Sequence, residues 1–378
     1  MTPTMSSRER VLTALHHQEP DRVPTALWGS YYSLVDETYF RLLKHLDLGS
    51  PTQPFRRYKP RNTNYLDDRV LDRLGTDLRY VWSGFTDLGG AHPKTLVDAW
   101  GIPWQHIAGY ISPAGAPLAD ASLEDIMDYS WPQAERFMRL EEAGVRARRL
   151  HSEGQYAVAA RAVNSYGPFE QACALRGREQ LLMDLLLDPE LARALILKVA
   201  ETIARLQAIY LDVVGPYVDI VELPGDDYAG NEHLLISPKL FEEMIKPALE
   251  RLVRPIKQLR SDLFVTFHSD GAISRLLPYF VEMGIDIVHP LEPLPANDLA
   301  AIKLEYGDRI SFLGAIDIKQ AMPGSTADVE TEAALRIEQL AAGGGYILAP
   351  ANHLQADVPA ENIVALYEAA RQHGRYAG

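Results

Sequence analysis

The chain has 378 residues and a formal net charge of −14, with 47% hydrophobic and 23% charged residues, as in an ordinary globular protein. The acidic excess disfavours nucleic acid and anionic membrane surfaces as partners, because both are bound mainly through Lys and Arg. No apolar run approaches the roughly 18 residues that span a bilayer, and a single cysteine, Cys173, excludes an internal disulfide. We therefore expect a soluble protein with small-molecule substrates.

The first ten residues hold no apolar signal core and lead directly into a helical pattern, so we expect a cytoplasmic location. That pattern predicts an amphipathic helix over residues 7–17, capped by Ser6 or Ser7. Pro20 and Pro24 then mark a turn into an apolar segment at residues 23–28.

Short apolar runs rich in β-branched or aromatic residues recur along the chain, with helical periodicity between them. Together with residues 23–28 they make eight candidate strands, the others being residues 78–82, 157–163, 218–223, 263–267, 285–289, 310–313 and 346–349. Buried strands separated by helices predict an α/β fold, and eight of them over this length predict a single closed (β/α)₈ TIM barrel. An open doubly wound sheet is the alternative, but no glycine-rich phosphate loop follows any strand. No linker divides residues 1–378, so we predict one domain.

Two further segments complete the prediction. Residues 98–131 break the alternation and predict a short β-hairpin insertion, which either covers one mouth of the barrel or packs its own tryptophans at the surface. Residues 178–214 carry Leu, Ala and Ile at three- and four-residue spacing, which predicts one long helix.

Polar and ionisable side chains follow nearly every predicted strand. His268 and Asp270 come directly after residues 263–267. Because side chains two apart on extended backbone point the same way, these two can converge on one ligand, metal or proton. Sites in parallel α/β folds are built at such strand ends. Other candidates in corresponding positions are Glu222, Asp226, Asp227, His289, Asn352 and His353.

Three interpretations of these residues remain open. A divalent metal, zinc by donor type, would be bound by His268, Asp270 and an acidic group at residues 222–227, with His353 as a further ligand. A metal-free acid–base site would use a carboxylate of raised pKa, with His268 as the proton carrier. In a purely structural arrangement, Asp226 and Asp227 would hold the loop backbone and His268 would meet a main-chain carbonyl.

The chain also carries a series of short motifs in a fixed order. They are Ser7-Arg8-Glu9-Arg10, Asp21-Arg22-Val23-Pro24, Tyr166-Gly167-Pro168-Phe169, Asp226-Asp227, Ile236-Ser237-Pro238-Lys239, Phe267-His268-Ser269-Asp270-Gly271 and Pro350-Ala351-Asn352-His353. Together they resemble the uroporphyrinogen decarboxylase (URO-D) superfamily. The resemblance implies a (β/α)₈ barrel with its site at the carboxyl ends of the strands, and a homodimer.

One departure from that family indicates which branch the chain resembles. True uroporphyrinogen decarboxylases carry an Arg-Gln-Ala-Gly-Arg motif after the first strand that holds the substrate's carboxylates. The chain instead reads Trp28-Gly29-Ser30-Tyr31-Tyr32, with no guanidinium for carboxylates. The chain is therefore closer to the branch of methylcobalamin:coenzyme M methyltransferases and corrinoid-dependent O-demethylases.

That branch binds zinc through a His-x-Cys pair and a later cysteine. The resemblance places His268 at the histidine, Asp270 at the first cysteine and Asn352 at the second. It implies a harder zinc site of His268 and Asp270, which Glu222 or Asp227 would complete, with His353 as a further candidate ligand one residue from Asn352. Because the sequence has no Asp-x-His-x-x-Gly cobalamin loop, a corrinoid would be carried by a separate protein.

The sequence thus predicts a metal-assisted methyltransferase or O-demethylase that acts on a small substrate. The predicted catalytic residues are His268, Asp270, Asp226 and Asp227, and the predicted substrate contacts are Trp28, Tyr31, Tyr32, Trp82, Tyr166, His289 and Asn352. A uroporphyrinogen decarboxylase-like decarboxylase of a carboxylated substrate is the first alternative. A non-catalytic binding protein on a retained barrel is an alternative of another class.

Overall fold

Strands and helices alternate along the chain and bring the candidate residues to one end of a parallel sheet. The computed structural model describes residues 5–28, 34–52, 67–83, 96–107, 110–133 and 138–376. In chain order the strands are β1 Leu78–Val81, β2 Leu96–Val97, β3 Pro103–Ile107, β4 Tyr110–Pro113, β5 Ala157–Ala160, β6 Ile220–Glu222, β7 Phe264–His268, β8 Ile287–His289, β9 Ser311–Ile316 and β10 Tyr346–Pro350.

Helices fill the connections between these strands. They are α1 Ser7–Leu15, α2 Asp36–His45, α3 Asp68–Leu74, α4 Leu123–Asp128, α5 Leu140–Glu153, α6 Pro168–Arg176, α7 Arg178–Leu187, α8 Pro189–Val214, α9 Pro238–Leu240, α10 Lys246–Leu259, α11 Leu277–Met283, α12 Leu299–Tyr306, α13 Thr326–Leu340 and α14 Ala360–His373. A π-helical turn, Phe241–Ile245, joins α9 to α10.

Within the described residues, the main sheet contains seven parallel strands, in the order β1, β5, β6, β7, β8, β9 and β10. The residues of β1, β5, β9 and β10 are buried throughout, as expected of parallel strands covered on both faces. Each of the seven strands overlaps a predicted one. The fold is therefore α/β and resembles a TIM barrel, as the sequence predicted.

The predicted closure by an eighth strand is wrong among the described residues. Thr25 makes only an isolated bridge to Leu348, although the Ala26 amide donates to the Leu348 carbonyl at 2.9 Å and the Asp77 amide donates to the Thr25 carbonyl at 2.8 Å. Residues 23–28 thus lie between the two edge strands without forming a regular strand. Pro24 explains this, because it has no N–H for a sheet ladder.

Two helix predictions have different outcomes. Helix α1 is capped by Ser6, whose side chain accepts from the Glu9 amide while the Glu9 carboxylate accepts from the Ser6 amide, a capping box. The single helix predicted over 178–214 is wrong, because the chain forms α7 and α8 with a break at Asp188. Pro189 begins α8, and the Asp188 side chain accepts from the Leu191 amide, so the break is a capped helix start.

The predicted β-hairpin insertion is confirmed as β3 and β4, and β2 extends it to a three-stranded antiparallel sheet. The indole of Trp100 donates to Asn164 Oδ1 at 3.0 Å, and Trp104 stacks on Tyr166 with ring centroids 6.1 Å apart. The insertion therefore packs against the loop that follows β5. No helix in the described part of the chain has the length and apolar character required to cross a membrane.

Candidate functional site

A cavity of about 190 Å³ opens at the carboxyl ends of β5, β6 and β7. Its charged and titratable lining residues are Glu170, Glu222, Asp227, His268, Asp270 and His353. Tyr166 and Asn352, both predicted to contact substrate, also line it. Carboxylates dominate this lining, which favours cations and neutral molecules over polyanions.

Three of these residues converge on one point. His268 is the last residue of β7, and its Nε2 atom lies 3.6 Å from Asp270 Oδ2 and 3.9 Å from Asp227 Oδ1. One ligand atom from each of the three residues lies within 4.8 Å of the other two. The spacing of His268 and Asp270 on extended backbone brings them together, and the loop after β6 adds Asp227.

Hydrogen bonds hold the two carboxylates in place. The Asp270 amide donates to Asp227 Oδ1 at 2.8 Å, and the Asn352 side-chain amide donates to Asp270 Oδ2 at 2.8 Å. The other oxygen of Asp270, Oδ1, is buried and has no hydrogen-bond partner among the described residues. A buried acceptor in that state is satisfied when a cation binds it.

The cluster alters the proton affinity of its members. Burial opposes the charged form of His268, but Asp270 and Asp227 outweigh it and raise the pKa of His268 to about 9. Burial raises the pKa of Asp227, while the charge of His268 acts to lower it. A metal ion at this point would compete with the proton on His268 Nε2.

Glu170 is the group in the cavity whose proton exchanges near neutral pH. Burial and the nearby charge of Asp227 raise the pKa of Glu170 to about 7, although Arg178 Nη2 lies 2.6 Å from its carboxylate. The sequence prediction did not select Glu170. Its position two residues after Pro168, at the start of the helix following a strand, was the available signal.

The three converging side chains fit a divalent metal. Zinc binds histidine nitrogen and carboxylate oxygen at about 2.0–2.2 Å, so tetrahedral ligand atoms lie roughly 3.3 Å apart. The separations of 3.6 and 3.9 Å exceed that value by a few tenths of an ångström, a difference that side-chain rotation can close. Asp227, His268 and Asp270 could therefore hold zinc.

The predicted metal ligands Glu222 and His353 lie outside this cluster. Glu222 Oε2 accepts from the Arg161 guanidinium at 2.7 Å and from the Ala162 amide at 3.0 Å. His353 Nδ1 lies 2.8 Å from Asn352 Oδ1. Both side chains line the cavity but already have other partners, and their roles as metal ligands stay predictions. The sequence prediction did not include Arg161, which was recognisable as a charge inside an apolar run.

Asp226, a predicted catalytic residue, makes contacts typical of a structural residue. Its side chain is fully buried and accepts from the amides of Phe169 at 3.0 Å and Glu170 at 2.7 Å, and from the Tyr228 hydroxyl at 2.9 Å. Those two amides belong to the first turn of α6, which has Gly167 at its N-cap and no side-chain cap of its own. Asp226 therefore caps α6 from another loop.

Several predicted substrate contacts lie behind the cavity lining. His289 is 1% exposed, and its Nδ1 lies 2.9 Å from His268 Nδ1. Burial, and then the charges of His268 and Arg161, lower the pKa of His289 well below its usual value. Trp28 is buried against Tyr80 and the Arg161 guanidinium, and Trp82 packs on Tyr80. Tyr31 and Tyr32 lie outside the described residues.

The fold and the site together define a TIM-barrel-like protein with a histidine and two carboxylates at its strand ends. The chain belongs to the uroporphyrinogen decarboxylase (URO-D) family, whose sequence profile matches residues 107–373. A methyltransferase from Methanosarcina mazei has a similar structure, with a TM-score of 0.65 and 17% identity over 97% of this chain and 99% of that one. At that identity the likeness concerns the fold.

Other solved structures match less well. Active domain 2 of a chitinase from Pyrococcus furiosus has a TM-score of 0.41 and 10% identity, over 95% of this chain and 99% of that one. No curated protein matches the sequence.

Proposed function

We propose that the chain is a metal-assisted methyltransferase or O-demethylase of the URO-D superfamily, with zinc held by Asp227, His268 and Asp270. The observation that carries this proposal is the convergence of the three donor atoms within 4.8 Å of one another. The buried and unpartnered Oδ1 of Asp270 supports it, because bound cations satisfy such atoms. The likeness of the fold to that of the Methanosarcina methyltransferase is consistent with this proposal.

When bound, the ion would supply Lewis acidity to an oxygen, sulfur or nitrogen atom that carries or accepts a methyl group. The chain's own groups would do the rest. Asp227 and Asp270 would neutralise the ion's charge, and Glu170, with its pKa of about 7, would exchange the proton of the substrate heteroatom. Tyr166, stacked on Trp104, would form an apolar wall that limits water.

The substrate class follows from the size and charge of the cavity. A volume of about 190 Å³ is below the roughly 300–1,000 Å³ of pockets for drug-sized ligands, so the substrate is small. The acidic lining opposes a substrate with many carboxylates. A corrinoid, in this proposal, is carried by a separate protein that reaches the cavity mouth, because the sequence has no cobalamin loop. A homodimer remains an expectation from the family resemblance.

Decarboxylation is a second candidate function. Glu170 favours it, because a carboxylic acid of pKa about 7 can protonate the carbon that loses carbon dioxide. Membership of the URO-D family is compatible with that chemistry. The acidic cavity argues against it for polycarboxylates, so the candidate substrate would be a small monocarboxylate.

Zinc binding is the first test of the proposal. Metal-free protein should be titrated with zinc in competition with a chromogenic chelator, alongside Asp227→Asn and Asp270→Asn. We expect one zinc per chain and at least a ~100-fold loss of affinity in either variant. Asp262→Asn is the matched control, because Asp262 is exposed and pairs with Arg260 at the surface. A wild type that binds no zinc, or variants that bind it equally well, would sink the proposal.

Activity is tested in the zinc-loaded protein. Small methyl ethers, methyl thioethers and methylamines should be screened with cob(I)alamin as the methyl acceptor, and methylcobalamin followed by its absorbance. We expect turnover with at least one methyl donor, and its loss in His268→Asn. Release of carbon dioxide from small carboxylic acids by the metal-free protein, without methyl transfer, would favour the decarboxylase instead.

A further inference from the structure

Two histidine rings from neighbouring strands meet directly behind the candidate metal site. His268 ends β7, His289 ends β8, and the two are partners in the parallel register. Their ring centroids are 5.1 Å apart, and their Nδ1 atoms are separated by 2.9 Å. At this distance one proton lies between the nitrogens, because two N–H groups would collide and two lone pairs would repel each other.

The position of that proton decides whether His268 Nε2, which faces the cavity, carries a proton or a lone pair. If His289 Nδ1 carries it, a neutral His268 has its own proton on Nε2, where it blocks a metal ion. If His268 Nδ1 carries it, Nε2 is available to the metal beside Asp227 and Asp270. A hydrogen bond to one imidazole nitrogen selects the tautomer and hence the role of the other.

A metal ion on His268 requires the second arrangement. With the ion on Nε2, the single ring proton of a neutral His268 is on Nδ1, which lies 2.9 Å from His289 Nδ1. His289 Nδ1 then presents a lone pair to His268, and a neutral His289 carries its own proton on Nε2. The His289 ring is 1% exposed, and its Nε2 has no hydrogen-bond partner among the described residues.

We infer that His289 is a positioning residue that holds His268 with its proton on Nδ1 and so leaves the Nε2 lone pair to a metal ion. The inference rests on the proposed function and deepens it, since it concerns the same site. It also gives His289 a different role from the predicted one, because this ring acts on the substrate only through His268.

A pair of isosteric substitutions tests the inference. His289→Asn places an amide oxygen where Nδ1 was, so it can still accept from His268 Nδ1. His289→Gln places its amide near the position of Nε2 and leaves Nδ1 without a replacement. Both variants are polar amides, and their folding is checked by thermal unfolding.

The readout is zinc affinity of the metal-free chains, measured by competition with a chromogenic chelator. We expect His289→Asn to bind zinc within about threefold of the wild type, and His289→Gln to bind it about 10–100-fold more weakly. A purely structural role would weaken both variants equally or neither. Equal affinities for the two variants would overturn the inference while the proposed function stands.

A second measurement tests the inference if one of the variants does not fold. In zinc-loaded wild-type protein labelled with ¹⁵N-histidine, long-range ¹H–¹⁵N spectra should show His289 as the neutral ring with a proton on Nε2, assigned by the signal missing from whichever of the two variants folds. A proton on His289 Nδ1 would contradict the inference. A wild type that binds no zinc would overturn the proposed function, and the role of His289 in metal binding with it.

Discussion

Asp226 and Asp227 are neighbours in the sequence, but the structure assigns them different tasks, and paired substitutions should separate those tasks. Asp226 is fully buried and caps α6 through the amides of Phe169 and Glu170. Asp227 lines the cavity, and its Oδ1 lies 3.9 Å from His268 Nε2. We expect Asp226→Asn to reduce the stability of the protein and Asp227→Asn to remove most of its zinc affinity.

The magnitude for Asp226 follows from its two backbone hydrogen bonds. Phe169 N–H donates to Oδ2 and Glu170 N–H donates to Oδ1. An asparagine has one acceptor oxygen, so its amide nitrogen must face one of these N–H groups whichever way it turns. A buried donor left without an acceptor costs about 1–3 kcal/mol. Asp226→Ala leaves both amides without an acceptor and should cost about 2–6 kcal/mol.

Asp227→Asn should leave the metal-free protein about as stable as the wild type, within ~1 kcal/mol. Its amide oxygen can still accept from the Asp270 amide, as Asp227 Oδ1 does at 2.8 Å. The substitution also removes a negative charge close to Asp270. It should nevertheless remove most of the zinc affinity, because a neutral amide is a poor zinc ligand.

Urea unfolding with and without zinc distinguishes the two effects. Zinc at 100 times its dissociation constant should stabilise the wild type by about 2.7 kcal/mol. Asp226→Asn should begin from a lower stability and gain the same increment. Asp227→Asn should begin near the wild type and gain almost nothing. If Asp226→Asn lost the zinc increment but kept the metal-free stability, the assignment of the two residues would be reversed and our reasoning refuted.

Three further predictions concern the charged groups around the site. Zinc must displace a proton from His268, whose pKa is raised to about 9. Zinc affinity measured by competition should therefore fall about tenfold for each unit by which the pH is lowered from 8 to 6. A pH-independent affinity would exclude His268 as a ligand. Arg161→Met removes the ion-pair partner of the buried carboxylate of Glu222 and should cost about 3–5 kcal/mol in urea unfolding. A cost below ~1 kcal/mol would contradict that pairing. Folding raises the pKa of Glu170 from 4.5 to about 7, so the folded state binds this proton more tightly than the unfolded state does. As the pH rises from 4.5 to 7, the free energy of unfolding of the wild type should therefore fall, relative to that of Glu170→Gln, by up to about 3 kcal/mol. Parallel stability curves for the two proteins would show that the pKa of Glu170 is not raised.

Local patterns in the sequence were sufficient for most of the fold. Apolar runs with β-branched residues located all seven strands of the main sheet, because burial on both faces leaves a continuous signal. Ser6 and Glu9 indicated the start of α1 through the capping box. The same patterns failed at residues 23–28, where Pro24 limits the ladder, and at Asp188, where Pro189 begins a new helix inside an unbroken apolar periodicity.

The sequence alone also determined that His268 and Asp270 share one face, because that depends only on the two-residue period of extended backbone. Tertiary structure decided their partners. Asp227 joins His268 and Asp270 while Asp226 caps α6, and His289 lies behind His268 through the register of β7 and β8.

The pairing of Glu222 with Arg161 has the same origin. Both side chains carry charge and lie next to strand ends, so each of them, taken alone, resembles a residue of a functional site. Their distance depends on how two strands far apart in the chain are aligned side by side, and residue periodicity within one strand holds no information about that alignment.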